Sequence, residues 1–84
     1  MYGMRMKKNT LFIEETTPEG YKILWKNGTA QEAMTFLESC TSKNRIELWS
    51  KAHAETEKGF CPMAYREANS NKVMVSTTFR MLAL

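Results

Sequence analysis

His53, Cys40 and Cys61 have the widest chemical repertoire in this sequence, which holds one histidine and two cysteines in all. A structural zinc takes four protein ligands, usually in closely spaced pairs, and these widely separated candidates do not supply that pattern. A nucleophile and base could be drawn from Cys61 and His53, which flank a candidate turn. Against that, both cysteines fall on apolar-periodic positions, where a free thiol behaves as a small hydrophobe. They are expected to be buried and unreactive. All nine acidic residues are glutamate, so the commonest ligand of hard cations and phosphoryl-transfer metals is missing. Glu14 and Glu15 are adjacent and would point to opposite faces of a strand, so they cannot work as a paired acid and base. The glycines are isolated and make no phosphate-cradling loop. The chain therefore reads as non-enzymatic, with no catalytic set, no metal site and no cofactor.

Whatever it does must be done by surface, and the elements that carry that surface follow from length and pattern. Eighty-four residues, 43% of them hydrophobic and 25% charged, suit one globular domain. We expect a flexible tail over residues 1–9 and a single α+β domain over residues 10–84. A domain of this size buries only about 60% of its unfolded surface, so pairing into a homodimer is also expected. The formal charge is +3, spread along the chain, which permits a nucleic-acid partner without arguing for one. Leu11-Phe12-Ile13 is far too short an apolar run for a signal peptide, and no stretch suits a membrane span. A cytoplasmic location with reduced thiols, and no membrane partner, is the corresponding expectation. Asn27-Gly28-Thr29 then reads as a turn and not as a glycosylation site.

Thr17-Pro18-Glu19-Gly20 is the strongest local signal, with Pro at the second turn position and Gly where a positive φ closes a hairpin. Setting Thr17 opposite Tyr21 pairs Glu15 with Ile23 and Ile13 with Trp25. Leu11, Ile13, Tyr21, Ile23 and Trp25 would then share the apolar face, leaving Phe12, Glu14, Thr16, Lys22, Leu24 and Lys26 on the other. Thr29 and Glu32 have the spacing of a capping box, and Ala30, Ala33, Met34, Leu37 and Cys40 recur at helical period, so a helix over residues 30–41 is predicted. Residues 43–58 stay open. Ser42, the KAHAETEK stretch and Gly59 suit a helix whose inner face holds Ile46, Trp49, Ala52 and His53, whereas the turn-like Thr56-Glu57-Lys58-Gly59 and the alternation of Ile46 and Leu48 suit a strand. A C-terminal hairpin is predicted from Phe60–Tyr65 and Val73–Met81 around Asn69-Ser70-Asn71, with Cys61, Met63, Tyr65, Val73, Val75, Phe79 and Met81 facing inward and Pro62 placing the first strand at an edge or bulge. Met34, Met63 and Met81 fall on core positions of this pattern. The fold class is α+β: an antiparallel sheet of an N-terminal and a C-terminal hairpin, with one or two helices on one face.

On the uncovered side of the first hairpin, Phe12 and Leu24 would be bordered by Lys8, Lys22 and Lys26, and exposed apolar residues rimmed by charge resemble a partner site. The competing expectation is that the C-terminal hairpin or a second copy covers this face. The functional reading is a small binding protein that occupies a surface on a larger protein or protein complex, as inhibitors and modulators do. By analogy of size alone, this extends to anti-defence proteins of phages and mobile elements. The alternative is a small basic nucleic-acid-binding regulator, in which Phe12 stacks on bases and Lys22 and Lys26 meet phosphates.

Overall fold

The computed structural model describes residues 10–51 and 62–76. Within them, β1 (Leu11–Thr17) and β2 (Gly20–Lys26) form the first hairpin, α1 (Ala30–Ser39) follows, and β3 (Ile46–Ser50), β4 (Ala64–Arg66) and β5 (Val73–Val75) complete the described elements. The strands make one five-stranded sheet in the order β2-β1-β3-β4-β5, antiparallel at every pairing. β2 and β3 flank β1, so the chain carries α1 across the sheet between them and lays it over β1, β2 and β3. This is the α+β architecture predicted from the pattern, with one helix among the described residues packed on one face.

The helix begins as its sequence dictates. Glu32 N–H donates to Thr29 Oγ1 at 3.1 Å and Thr29 N–H donates to Glu32 Oε1 at 2.8 Å, closing the capping box. Asn27 adopts a left-handed φ of 66° to turn the chain out of β2. Gly28 follows because any Cβ there would collide with the Trp25 ring and the Glu32 carboxylate. α1 ends at Ser39, with Cys40 as an extended cap whose N–H donates to Phe36 O. Its inward stripe is the predicted one: Ala33 and Leu37 are fully buried, while Ala30, Met34 and Cys40 pack against the core from its rim. Cys40 is thus half-buried and not fully enclosed.

The core joins this stripe to Leu11 and Ile13 of β1, Ile46 and Leu48 of β3, and Met63 and Ala64 at the start of β4. Burying each large aliphatic side chain contributes about 1.5–3 kcal/mol. Ile46–Ser50 is a strand, so the open question over that stretch resolves toward alternation: Ile46, Leu48 and Ser50 point inward, and Trp49 faces the other way.

Two phase assignments differ from expectation. The hairpin loop contains only Pro18 and Glu19, so Thr17 pairs with Gly20, Thr16 with Tyr21, Glu15 with Lys22 and Glu14 with Ile23. Gly20 takes a φ of +132°, which suits glycine, and accepts a hydrogen bond from Thr17 Oγ1. A register shift beside Ile13 and Glu14 makes Leu24 the extra residue of a bulge and restores the expected Ile13–Trp25 and Phe12–Lys26 pairs. Tyr21 and Ile23 consequently turn outward, at 71% and 48% exposure, and do not join the apolar face. In β4 the phase is likewise reversed, with Ala64 and Arg66 inside and Tyr65 outside. β4 is also flanked on both sides, by β3 and β5, and is no edge strand. Pro62 precedes its ladder, which opens with Met63 N–H donating to Leu48 O at 2.9 Å, so no donor is lost to proline. Val73 and Val75 pack on the core as predicted. The tail over residues 1–9, including Lys8, the inward placement of Ala52 and His53, the turn before Gly59, and the positions of Cys61, Phe79 and Met81 lie outside the described residues.

Candidate functional site

Alternation along each strand gives the sheet two chemically different faces. The inner one meets α1. On the outer one lie Phe12, Glu14 and Thr16 of β1, Tyr21, Ile23 and Lys26 of β2, Glu47 and Trp49 of β3, Tyr65 of β4 and Met74 of β5, brought side by side by the register. Phe12 lies directly between Lys26 and Trp49, and Glu14 directly between Ile23 and Glu47.

The β3–β4 half of this face is internally satisfied. Arg45 Nε donates to Glu47 Oε2 and Arg45 Nη1 to Glu67 Oε2, both at 2.7 Å, while the guanidinium sits 4.3 Å from the centre of the Tyr65 ring. The second oxygen of Glu47 accepts from Trp49 Nε1 at 3.0 Å. A chain of charge and hydrogen bonds therefore locks Arg45, Glu47, Glu67, Trp49 and Tyr65 together.

The β1–β2 half is different. Glu14 is half-buried and engages in no hydrogen bond or ion pair among the described residues, while Glu47 stands directly opposite it with its own oxygens already in use. Like charges across a ladder are destabilising. Burial, and secondarily the Glu47 carboxylate, push the Glu14 carboxyl above its ordinary pKa. Around it stand Phe12 and Thr16 on the same strand and the exposed Ile23 and Tyr21 on β2. Its neighbour Glu15 has the opposite fate: it points to the inner side and accepts from Ser42 Oγ and from Asn44 Nδ2, bonds that hold its carboxyl below the ordinary value.

The inner face buries a charge as well. Arg66, 3% exposed, donates from Nη1 to Leu37 O at 2.7 Å and from Nη2 to Ser42 O at 2.9 Å. It thereby satisfies a carbonyl in the last turn of α1, whose dipole favours a cation there, and pins the following loop to β4. Beside it a cleft of about 550 Å³ opens between the loop after α1 and the loop joining β4 to β5, walled by Ser42, Lys43, Arg66, Asn69 and Ser70 among others. Among the described residues no group of three or more His, Cys or acidic side chains is placed to hold a metal ion. No helix among them is long and apolar enough to cross a membrane.

Of the candidate residues, Phe12 and Lys26 are brought together on the outer face. Lys22 falls on the opposite face across from Glu15, and Leu24 is the bulged residue that packs against the core, so neither joins Phe12. The residues that sequence reasoning missed here are Tyr21, Ile23, Trp49, Tyr65 and Met74. The strand alternation of Ile46 and Leu48 would have signalled Trp49, but the phase of β2 and β4 had no local signal. The chain matches no protein family, no curated protein and no solved structure.

Proposed function

We propose that this protein is a non-catalytic binding module, of the inhibitor or modulator kind, that acts by seating the outer face of its sheet on a larger protein. The observation that carries this is the exposure of Tyr21, Ile23 and Met74, at 71%, 48% and 41%, on the same sheet surface as Phe12 and Lys26. Large side chains that could have been polar at no cost to the core are apolar, and apolar or aromatic centres with charged margins characterise protein interfaces. Tyr21 and Phe12 supply contact area at low entropic cost, while Lys26 adds steering more than affinity. Glu14, Glu47 and Glu67 on this face repel phosphate, which favours a protein over a nucleic acid.

Affinity purification of the tagged protein from its native host, with nuclease treatment, compared with an Ile23→Glu variant, tests the reading. A protein retained after nuclease, held at high salt and lost with Ile23→Glu is the expected result. A partner that is nucleic acid, released steeply by salt and indifferent to Ile23→Glu, would establish the alternative.

A further inference from the structure

We infer that the β1–β2 half of the outer face docks a protein segment that inserts a lysine or arginine side chain beside Glu14, with apolar neighbours resting on Ile23, Tyr21 and Phe12. The inference rests on the binding-module reading and specifies its partner's chemistry.

The argument is one of charge complementarity. A carboxylate half removed from water needs a cation or hydrogen-bond donors, and Glu14 has neither among the described residues. Among the described residues the nearby cations are committed or remote from it: Arg45 is spent on Glu47 and Glu67, Lys22 lies on the other face beside Glu15, and Lys26 pairs with Phe12 beyond the bulge. Glu47 opposite raises the need by adding a second negative charge whose own bonds to Arg45 and Trp49 leave Glu14 unaided. Threonine or glutamine here would avoid the repulsion, so the position costs the free protein stability and returns something only when an external cation arrives. The bulge at Leu24 serves the same strip. By inserting one residue it allows Trp25 to stay inside while Ile23 and Tyr21 turn outward beside Glu14 and Thr16. A guanidinium or ammonium entering between Ile23 and Glu47 would be desolvated by the same apolar side chains that its flanking residues contact, which strengthens the pair.

A display library of random twelve-residue peptides, panned on the immobilised full-length protein at neutral pH, is the test. Enriched peptides should contain a lysine or arginine within two residues of an apolar side chain. Their affinity should fall about tenfold or more on Glu14→Gln, a change of charge without change of shape. The same affinity should drop as pH is lowered through the titration of Glu14. Among the described residues Glu47 on β3 is the acid facing it, its charge bound to Arg45, and from β2 the uncharged Ile23 faces it with the Tyr21 phenol in the next pair on that face. Peptides that are acidic or uncharged, or whose affinity is unchanged by Glu14→Gln, overturn the inference. If those peptides still lose binding with Ile23→Glu, the binding face stands and only the basic insertion falls. If neither substitution matters, both readings fall. A library that yields no binder also overturns the inference, since an open strip of this kind is accessible to a linear segment.

Discussion

The two faces of the sheet treat a buried charge in opposite ways. On the inner face Arg66 is nearly inaccessible, yet backbone carbonyls from α1 and its following loop receive its guanidinium, so the charge organises the fold. On the outer face Glu14 is only half-buried, yet nothing among the described residues receives it. The inner charge is held by two of its three guanidinium nitrogens, with only Nε unpartnered among the described residues, whereas a surface that completes itself with a partner can leave a whole carboxylate unanswered. The difference separates residues kept for folding from residues kept for contact, and each side can be broken independently.

The largest effect is expected on the inner face. Leu37→Ala removes a fully buried side chain at the centre of the helix–sheet contact and should cost about 2–5 kcal/mol in denaturant unfolding, enough to threaten a domain of this size. Next comes Arg66→Ala, which strands the Leu37 and Ser42 carbonyls. A loss of about 1–3 kcal/mol is expected, and an unchanged midpoint would show that the buried arginine does not organise the fold.

Glu14→Gln should instead stabilise the free protein at neutral pH, by roughly 0.2–1 kcal/mol, as relief of a like-charge pair would. The pH dependence fixes the sign. The folded Glu14 carboxyl titrates above its ordinary value, so its contribution is full below that value and is lost as pH rises through the raised one. The advantage of Glu14→Gln should therefore close on acidification. Glu15 behaves in reverse: its carboxyl is lowered by the Ser42 and Asn44 hydrogen bonds, so its contribution is present above the ordinary value and lost as pH falls through the lowered one. Chemical denaturation of Glu14→Gln and Glu15→Gln across the acid range should give difference curves of opposite slope. Two curves of the same sign would erase the distinction between neighbouring carboxylates on opposite faces.

The smallest stability effect belongs to the exposed strip. Tyr21→Ala and Ile23→Ala should leave thermal unfolding within about 0.5 kcal/mol of the parent, as exposed positions usually do. Cooperative loss of structure in either would mean that this strip is core and not contact surface.

Much of the frame is written locally. Thr29 and Glu32 specify where α1 starts through two short-range hydrogen bonds, and the spacing of Ala33 and Leu37 specifies which side faces the sheet. Pro18 and Gly20 place the first turn, and the valines of β5 take the phase their alternation implies. These features depend on residues within a few positions of one another, which is why a linear reading reaches them. For the binding surface, the Phe12–Lys26 pair was legible because Ile13 and Trp25 must both face inward, which fixes their neighbours outward.

The rest was decided by contacts between distant segments. Whether the loop after Thr17 has two residues or three is nearly neutral locally, but it sends Tyr21 and Ile23 to one face or the other, and a bulge at Leu24 absorbs the difference only because Trp25 has a core to reach. Tyr65 and Arg66 compete for the interior of β4, and hydrophobicity alone favours the tyrosine. The arginine goes inside because α1 ends above it with a carbonyl to satisfy, and Tyr65 goes outside, where Arg45 stacks on its ring. The sequence by itself determined the turns, the cap and the helix stripe. Tertiary structure alone decided register and facing, because in a sheet one residue of slip exchanges interior for surface and only packing against α1 distinguishes the two.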